Sequence, residues 1–132
     1  SMGCDGLVSS GNTIVETECI KVFRLPDGGI VGFAGNVYNW QPILDYFKSN
    51  STDKKWPEIE GSCDTMVLES DGSLYMFDTL GRSCRCHAPR ALGSGWQFAL
   101  AAMKCGKDIK GALEVACELD AYSGGKITVL NV

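Results

Sequence analysis

Two charged residues near the start of this 132-residue sequence could do chemistry. Lys21 lies between the apolar residues Ile20 and Val22, where a fixed positive charge could favour ionisation of a neighbouring group. By spacing alone, however, Lys21 is the solvent-facing member of an alternating strand. Asp5 is followed by Gly6, a pair that taken alone indicates a turn.

Serines and a third charged residue lie in two later segments. Ser94 stands between two glycines, which is typical of a helix entry with a serine cap. Asp120 and Ser123 belong to the segment Asp120-Ala121-Tyr122-Ser123-Gly124-Gly125. An aspartate in such a place caps a helix end or a turn, so neither segment alone requires a catalytic role.

The segment Cys84-Arg85-Cys86-His87 invites a metal-site interpretation. A Cys-x-Cys pair beside the only histidine of the chain is not a usual zinc geometry, although Cys63 could add a ligand. The sequence also has no glycine motif of the phosphate-binding G-x-x-x-x-G-K type. We therefore expect neither a metal nor a cofactor.

The seven cysteines are Cys4, Cys19, Cys63, Cys84, Cys86, Cys105 and Cys117. Their number is odd and several lie in apolar runs, unlike a secreted disulfide framework. This usage predicts thiols that are reduced and mostly buried, and a cytoplasmic protein.

Composition narrows the possible partners. The chain is 45% hydrophobic and 21% charged, which predicts one globular domain over residues 1–132. A net charge of −4 argues against nucleic acid, because phosphate binding needs a basic patch. No segment has the length and hydrophobicity of a membrane span, so no membrane partner is expected. Ser1, which precedes Met2, is interpreted as the remnant of a purification tag.

Turn signals and periodicity predict the elements that hold these residues. A hairpin is expected from residues 19–25 and 30–35, joined by Pro26-Asp27-Gly28-Gly29. A helix over 39–48 follows, with Trp40, Ile43, Leu44 and Phe47 on one face, and then a polar loop over 49–61. The Asp71-Gly72 pair predicts a second hairpin from 65–69 and 74–77.

The rest of the chain is predicted to be mostly helical. Residues 81–90 are expected to form a polar connection, and a helix is expected from Gly93-Ser94-Gly95 to about Cys105. Asp108 is the expected cap of a helix whose apolar stripe contains Ile109, Ala112, Leu113 and Ala116. A turn over 120–125 and a strand over 127–132 end the chain. This order predicts an α+β fold in which helices cover antiparallel sheets.

Four short motifs are spread over nearly the whole chain. They are Cys4-Asp5-Gly6 with Gly11-Asn12-Thr13 and Lys21-Val22, then Gly32-Phe33-Ala34-Gly35, then Leu92-Gly93-Ser94-Gly95, then residues 120–129. Together they resemble the proteasome β-subunits, and most closely the bacterial ATP-dependent proteasome-like peptidases and their phage relatives. The resemblance implies a four-layer αββα sandwich of two antiparallel sheets, the fold of N-terminal-nucleophile hydrolases, here with its first strand truncated.

The resemblance also implies a reaction. In the family, the hydroxyl of an N-terminal threonine attacks a peptide carbonyl while the α-amine of the chain acts as the base. The catalytic lysine corresponds to Lys21, its partner aspartate to Asp5, and the glycine whose N–H faces the oxyanion to Gly35. The group that surrounds the amine corresponds to Ser94, Asp120 and Ser123. The implied partners are a polypeptide substrate, further copies of the chain in a ring or dimer, and an ATP-dependent unfoldase.

The sequence departs from the family before Asp5. Only four residues precede this aspartate, whereas the family places a whole strand there, beginning with the nucleophilic threonine. The 132-residue chain is therefore expected to be an inactive threonine-type endopeptidase subunit. Either the natural protein starts upstream, or it is a non-catalytic structural or assembly subunit, from a phage or a bacterium. We expect either a rearranged N-terminus or a partner strand to cover the exposed edge.

A second departure lies in the polar loop over 49–61, which stands where many family members have a second long helix. In the family these helices pack between stacked rings. The usual double ring is therefore not expected, which leaves a single ring, an open assembly or a dimer.

Overall fold

The computed structural model describes all residues from Ser1 to Val132. Nine strands and three α-helices follow one another along the chain. They are β1 (Met2–Cys4), β2 (Val8–Ser10), β3 (Thr13–Glu16), β4 (Val22–Arg24), β5 (Ile30–Gly35), α1 (Trp40–Lys48, preceded by a 3-10 turn at Val37–Asn39), β6 (Cys63–Leu68), β7 (Leu74–Phe77), β8 (Ser83–Cys86), α2 (Trp96–Lys104), α3 (Ile109–Leu119) and β9 (Thr128–Leu130).

Five strands form an antiparallel sheet in the order β4-β5-β6-β7-β8. The two predicted hairpins account for its first four strands. In the first turn, the Asp27 carboxylate accepts the N–H of Gly29, and Gly28 has a positive φ that suits glycine. The Asp71-Gly72 turn repeats this arrangement, since Asp71 accepts the N–H of Ser73. The turn chemistry of the sequence thus sets the register of both hairpins.

One prediction for this sheet was wrong. Residues 81–90 are not only a polar connection, because Ser83–Cys86 pairs with β7 as the fifth strand. Its residues are exposed except for the half-buried Cys86. An exposed edge strand needs no apolar alternation, so the sequence pattern did not reveal it.

Helix α1 covers one face of the five-stranded sheet. Ile43 and Leu44 pack with Val31 and Phe33 of β5, and the Trp40 ring stacks on Phe33 with centroids 5.8 Å apart. Ile43 and Val31 are completely buried. This interface confirms the helix that the spacing of Trp40, Ile43, Leu44 and Phe47 predicted.

The other face of the sheet packs against β1, which pairs with β9 in a small second sheet. Met2 and Cys4 of β1 join Val22, Ile30 and Met66 in a second core cluster. On the far side of β1, Gly3 has no room for a side chain because Ile109 and Leu113 of α3 lie against it. Helices α2 and α3 contact each other through four buried alanines, Ala99, Ala102, Ala112 and Ala116.

The layers are therefore α1, the five-stranded sheet, the β1–β9 sheet, and the α2–α3 pair. This confirms the α+β four-layer sandwich of two antiparallel sheets. The N-cap at Asp108 is also confirmed, since its carboxylate accepts the N–H of Gly111.

Strand β1 pairs on one side only, with β9. The residues after it form a separate hairpin, β2–β3, rather than folding back on the open edge. The rearranged N-terminus that would cover this edge is thus not observed. Beside β1, between the five-stranded sheet and helices α2 and α3, lies an open cavity of about 1260 Å³.

The cysteines differ from expectation in their burial. All seven are free thiols, but only Cys4 and Cys63 are buried, while Cys84 and Cys105 are exposed. The prediction of mostly buried thiols was therefore wrong, because apolar neighbours in sequence do not make a position internal. None of the three helices has the length and hydrophobicity needed to cross a membrane.

Candidate functional site

The ion pair between Lys21 and Asp5 is the most buried charged contact of the molecule. Lys21 Nζ lies 2.6 Å from Asp5 Oδ1, and each side chain is only 16% exposed. Lys21 Nζ also donates to the Leu7 carbonyl at 2.7 Å, and Asp5 Oδ2 accepts the Gly124 N–H at 2.9 Å. Because an ammonium has three donors, one donor of Lys21 is left for a further acceptor.

Backbone contacts around the pair fix where it lies. Asp5 follows the last residue of β1, and Lys21 precedes the first residue of β4. The Lys21 carbonyl accepts the N–H of Phe33, which ties this position to β5. Gly6 bonds to both Gly124 and Cys19 through its backbone, and a side chain there would collide with neighbouring backbone. The Asp5-Gly6 pair therefore joins three segments of chain rather than forming an ordinary surface turn.

A second polar cluster lies at the start of α2. Asp120 Oδ2 accepts hydrogen bonds from the Ser94 hydroxyl at 2.5 Å and the Ser123 hydroxyl at 2.6 Å. Desolvation opposes ionisation of Asp120, but these bonds and the N–H of Tyr122 outweigh it, so the pKa of Asp120 lies below its ordinary value. The buried Gly95 allows this approach, because a side chain there would meet Ser123 and Asp120.

Gly35 ends strand β5 with a φ of +112°, a conformation that favours glycine. A side chain at Gly35 would collide with the carbonyl of Ser62 on the neighbouring strand segment. The glycine is therefore required by the backbone, whatever else the position does.

The cavity beside β1 brings the predicted site residues together. Five of the six line it, namely Asp5, Lys21, Gly35, Ser94 and Ser123. Asp120 lies directly behind the two serines, through its hydrogen bonds to both. The residues came from four distant segments of sequence, so their convergence on one cavity is a property of the fold. Their roles in a reaction stay predictions.

Sequence reasoning missed several neighbours of the pair. The Leu7 carbonyl and the Gly124 N–H hold Lys21 and Asp5 in place, but backbone groups leave no signal in residue type. Three thiols, Cys4, Cys19 and Cys117, also lie near the pair, and desolvation by burial raises the pKa of each. They remain protonated at neutral pH and add no competing negative charge to the site.

The cysteines of the segment 84–87 do not converge with other ligand types. The Cys84 thiol is exposed, and the Cys86 thiol is directed to the carbonyl of Leu74. Cys63 is buried in β6, the strand that β7 separates from β8. The structure contains no group of three or more His, Cys, Asp and Glu side chains placed to hold a metal ion.

Sequence relatives of this chain are subunits of ATP-dependent proteases. The ATP-dependent protease subunit HslV of Roseobacter denitrificans is 27% identical over an alignment length of 160, covering 97% of this chain and 84% of that protein. The subunit of the same name from Pseudothermotoga lettingae is 24% identical and covers 99% of this chain and 90% of the relative. No protein-family model matches the sequence.

Solved structures share the fold. The HslV of Trypanosoma brucei superimposes with a TM-score of 0.73 at 20% identity, covering 96% of this chain and 88% of that chain. The BPH protein of Thiobacillus denitrificans in complex with epoxomicin gives a TM-score of 0.73 at 18% identity, with the same coverage. The four-layer architecture and the sequence relatives agree, and the chain is similar to the proteasome-like subunits of ATP-dependent proteases.

Proposed function

We propose that this chain is a subunit of a threonine-type endopeptidase that degrades polypeptides, and that its nucleophile lies on an extended segment seated in the cavity beside β1. The observation that carries the proposal is the Lys21–Asp5 pair, mostly buried yet on the wall of an open cavity. A buried ion pair is costly to desolvate, and placing one beside a large cavity rather than in the packed core is typical of a functional site.

In this proposal Lys21 acts through charge. Asp5 and the Leu7 carbonyl use two of its donors and hold the ammonium in place, while the third faces the nucleophile. The hydroxyl oxygen attacks the carbonyl carbon of the peptide bond, and its proton passes to the free α-amine of the same residue. That amine then protonates the departing amine of the substrate, and water hydrolyses the remaining ester.

The other site residues have supporting roles. The N–H at Gly35 is proposed to stabilise the oxyanion that forms on the attacked carbonyl. The ionised Asp120, with Ser94 and Ser123, offers hydrogen-bond acceptors to the protonated α-amine. These roles require the nucleophilic residue to lie between the two clusters, within the cavity that both of them border.

The cavity suits an extended segment better than a small molecule. Its volume of about 1260 Å³ exceeds the ~300–1,000 Å³ of ordinary ligand pockets. The open edge of β1 offers backbone groups to a further strand, and the walls are largely apolar side chains of α2, α3 and β5. The segment either precedes Ser1 in a longer protein or comes from another chain, and the N-terminal sequence of the natural protein distinguishes these two origins.

A second candidate function is that of a non-catalytic structural subunit. Ser1 itself takes no part in the candidate site. Its hydroxyl bonds to the Asn131 side chain, at the end of β1 remote from Asp5. The three residues of β1 separate Ser1 from Asp5, and the four residue steps between them span about 13 Å at ~3.3 Å per residue. The terminal amine and hydroxyl of Ser1 are therefore out of reach of Lys21, and the 132-residue chain alone is proposed to be inactive.

Complementation with synthetic strands tests the proposal. Peptides of about ten residues, beginning with threonine and alternating valine or isoleucine with polar residues, would be added to the 132-residue protein. We expect such a peptide to bind and to permit hydrolysis of fluorogenic peptide substrates. Peptides beginning with alanine or with an acetylated threonine are expected to bind equally well without hydrolysis.

The variant Lys21→Met provides the site control. It should lower hydrolysis at least ~10²-fold, with little change in peptide binding, since the ammonium faces the nucleophile. Binding of the threonine peptide without hydrolysis would exclude the peptidase function and support the structural subunit. The intact mass and N-terminal sequence of the protein from its natural source then identify where the segment originates.

Partners and location follow from the same proposal. The relatives are named as subunits of ATP-dependent proteases, so we propose an ATP-driven unfoldase as the supplier of extended polypeptide. Further copies of the chain are proposed as structural partners, and the cytoplasm as the compartment. Co-purification from the natural source at near-physiological salt tests these partners directly.

A further inference from the structure

The β2–β3 hairpin carries exposed side chains along most of its length. All residues from 9 to 18 are exposed, on both faces of the ribbon. Ile14 and Val15 are 58% and 59% exposed, although each is a large apolar side chain. The side chain of Asn12, near the tip, is held to the rest of the chain by a bond of 3.3 Å from the Tyr122 hydroxyl.

Such a hairpin is not a stable unit by itself. A two-stranded ribbon in water is marginal, and it normally needs a third strand or a packed face. Alternating neighbours on a strand point to opposite faces, so Ile14 and Val15 leave an apolar side chain on each side. The chain itself leaves both of these apolar side chains more than half exposed.

The hairpin is also acidic. Glu16 and Glu18 are exposed, and no lysine or arginine precedes Lys21 in the sequence. Backbone N–H groups of Glu18 and Thr17 donate to the Glu16 carboxylate and lower its pKa, so it is charged at neutral pH. A partner surface for the hairpin should thus be basic as well as partly apolar.

One surface of the same chain has this character. The turn between α2 and α3 exposes Lys104, Lys107 and Lys110, while Asp108 is engaged as the cap of α3. Val129, 37% exposed on β9, lines the same cavity as Lys107 and Lys110. We name this surface, Lys104 to Lys110 with Val129, the lysine turn.

The hairpin and the lysine turn lie at opposite ends of the α2–α3 layer. Ile109, at the start of α3, lies against Gly3 of β1, whereas Asp120, at the end of α3, bonds to Ser123 beside the hairpin base. Helix α3 has 11 residues, a length of about 16 Å at ~1.5 Å per residue. One copy cannot bring its own two surfaces together, but two copies can.

We propose that the β2–β3 hairpin docks on the lysine turn of a second copy of this chain. The contact pairs the two glutamates with the three lysines and covers Ile14 or Val15 with Val129. It joins unlike surfaces, so contact between two hairpins, which would set glutamates against glutamates, is disfavoured. The proposal concerns assembly and does not depend on the peptidase chemistry.

Charge reversal with a mixing step tests the contact. The variants E16K/E18K and K104E/K107E/K110E would be compared with the wild-type protein by sedimentation velocity. In ~0.1 M salt, where the Debye length is about 10 Å, wild type should sediment as more than the 14.2 kDa monomer. Each variant alone should bind itself at least ~10-fold more weakly, and an equimolar mixture of the two should associate again.

Matched controls separate the contact from net charge and from folding. The variant D53K/E58K makes the same change in net charge as E16K/E18K, but on the loop over 49–61, and its association should match wild type. Because the Glu16 carboxylate accepts two backbone N–H groups, E16K/E18K could unfold the hairpin, and the single variant E18K then replaces it in the test. The variant K104E/K107E/K110E alters only exposed side chains. A wild-type protein that stays monomeric at every concentration measured, or reversed variants that do not associate on mixing, would overturn the proposal.

Discussion

The two sides of the sandwich differ in how completely they are packed. On one side, α1 closes the five-stranded sheet with a core in which Ile43, Val31 and Cys63 are completely buried. On the other side, the second sheet has only β1 and β9, and an open cavity of about 1260 Å³ lies beside β1. The first side is a closely packed core, while the second has room for another strand.

This difference separates stability from function. The charged and hydroxyl side chains of the candidate site all lie on the open side, where water or substrate can reach them. Protein interiors are close-packed, so a large cavity beside an open strand edge is not an ordinary packing fault. We infer that the closed side supplies most of the folding free energy, whereas the open side contains the candidate site.

Hydrogen exchange should show the largest difference. Amides of β5, which is paired on both sides, should exchange only by global unfolding, whereas β2–β3 amides should exchange by local opening. At an unfolding free energy of at least ~5 kcal/mol, the rates should differ by ~10³-fold or more. Exchange measured by NMR in dilute protein would contradict this comparison if both sets of amides were equally protected.

The second-largest difference is expected when a large side chain is truncated on each side of the sandwich and the loss of unfolding free energy is compared. Ile43→Ala creates a new cavity in the closed core and should cost about 2–5 kcal/mol of unfolding free energy. Leu113→Ala enlarges a cavity that already exists. It therefore loses only the free energy of transferring the removed atoms from water, and should cost less than ~2 kcal/mol of unfolding free energy. Urea denaturation measures both, and equal losses would mean that the cavity is filled in solution.

The two ion pairs of the molecule offer a third comparison. Both have a 2.6 Å contact, but Lys21–Asp5 is mostly buried whereas Arg82–Asp78 is exposed. Lys21→Met leaves a carboxylate without its charged partner and should cost about 1–3 kcal/mol, against less than ~1 kcal/mol for Arg82→Met. The double variant D5N/K21M should recover part of the loss in urea denaturation, and no recovery would mean that the lysine stem, not its charge, matters.

The smallest effect is expected from the polar cluster at Asp120. The pKa of Asp120 is lowered from its ordinary 3.8 in the folded protein, so its contribution is complete above that value and is lost as pH falls through the folded-state pKa. Asp120→Asn should change stability at pH 7 by less than ~1 kcal/mol and flatten the acid limb of a melting-temperature profile. An unchanged acid limb in the variant would show that other carboxylates control it.

Much of the closed side could be predicted from the sequence. Turn pairs such as Asp71-Gly72 and the spacing of Trp40, Ile43 and Leu44 are local signals, and both hairpins and α1 were found where these signals placed them. The exposed strand β8 was missed because its pairing depends on β7 and not on its own pattern. The burial of the cysteines was overestimated for the same reason, since neighbours in space decide burial.

The sequence by itself determined the two hairpin turns, helix α1 and, through four short motifs, the family that the chain resembles. The tertiary structure alone decided that Lys21 and Asp5 form a buried pair, that Ser94 and Ser123 share Asp120, and that these groups border one cavity. The physical reason is the distance along the sequence between the residues that interact. Turns and helical faces arise from residues within a few positions of each other, whereas a site built from residues 5, 21, 94 and 120 exists only after the layers have packed.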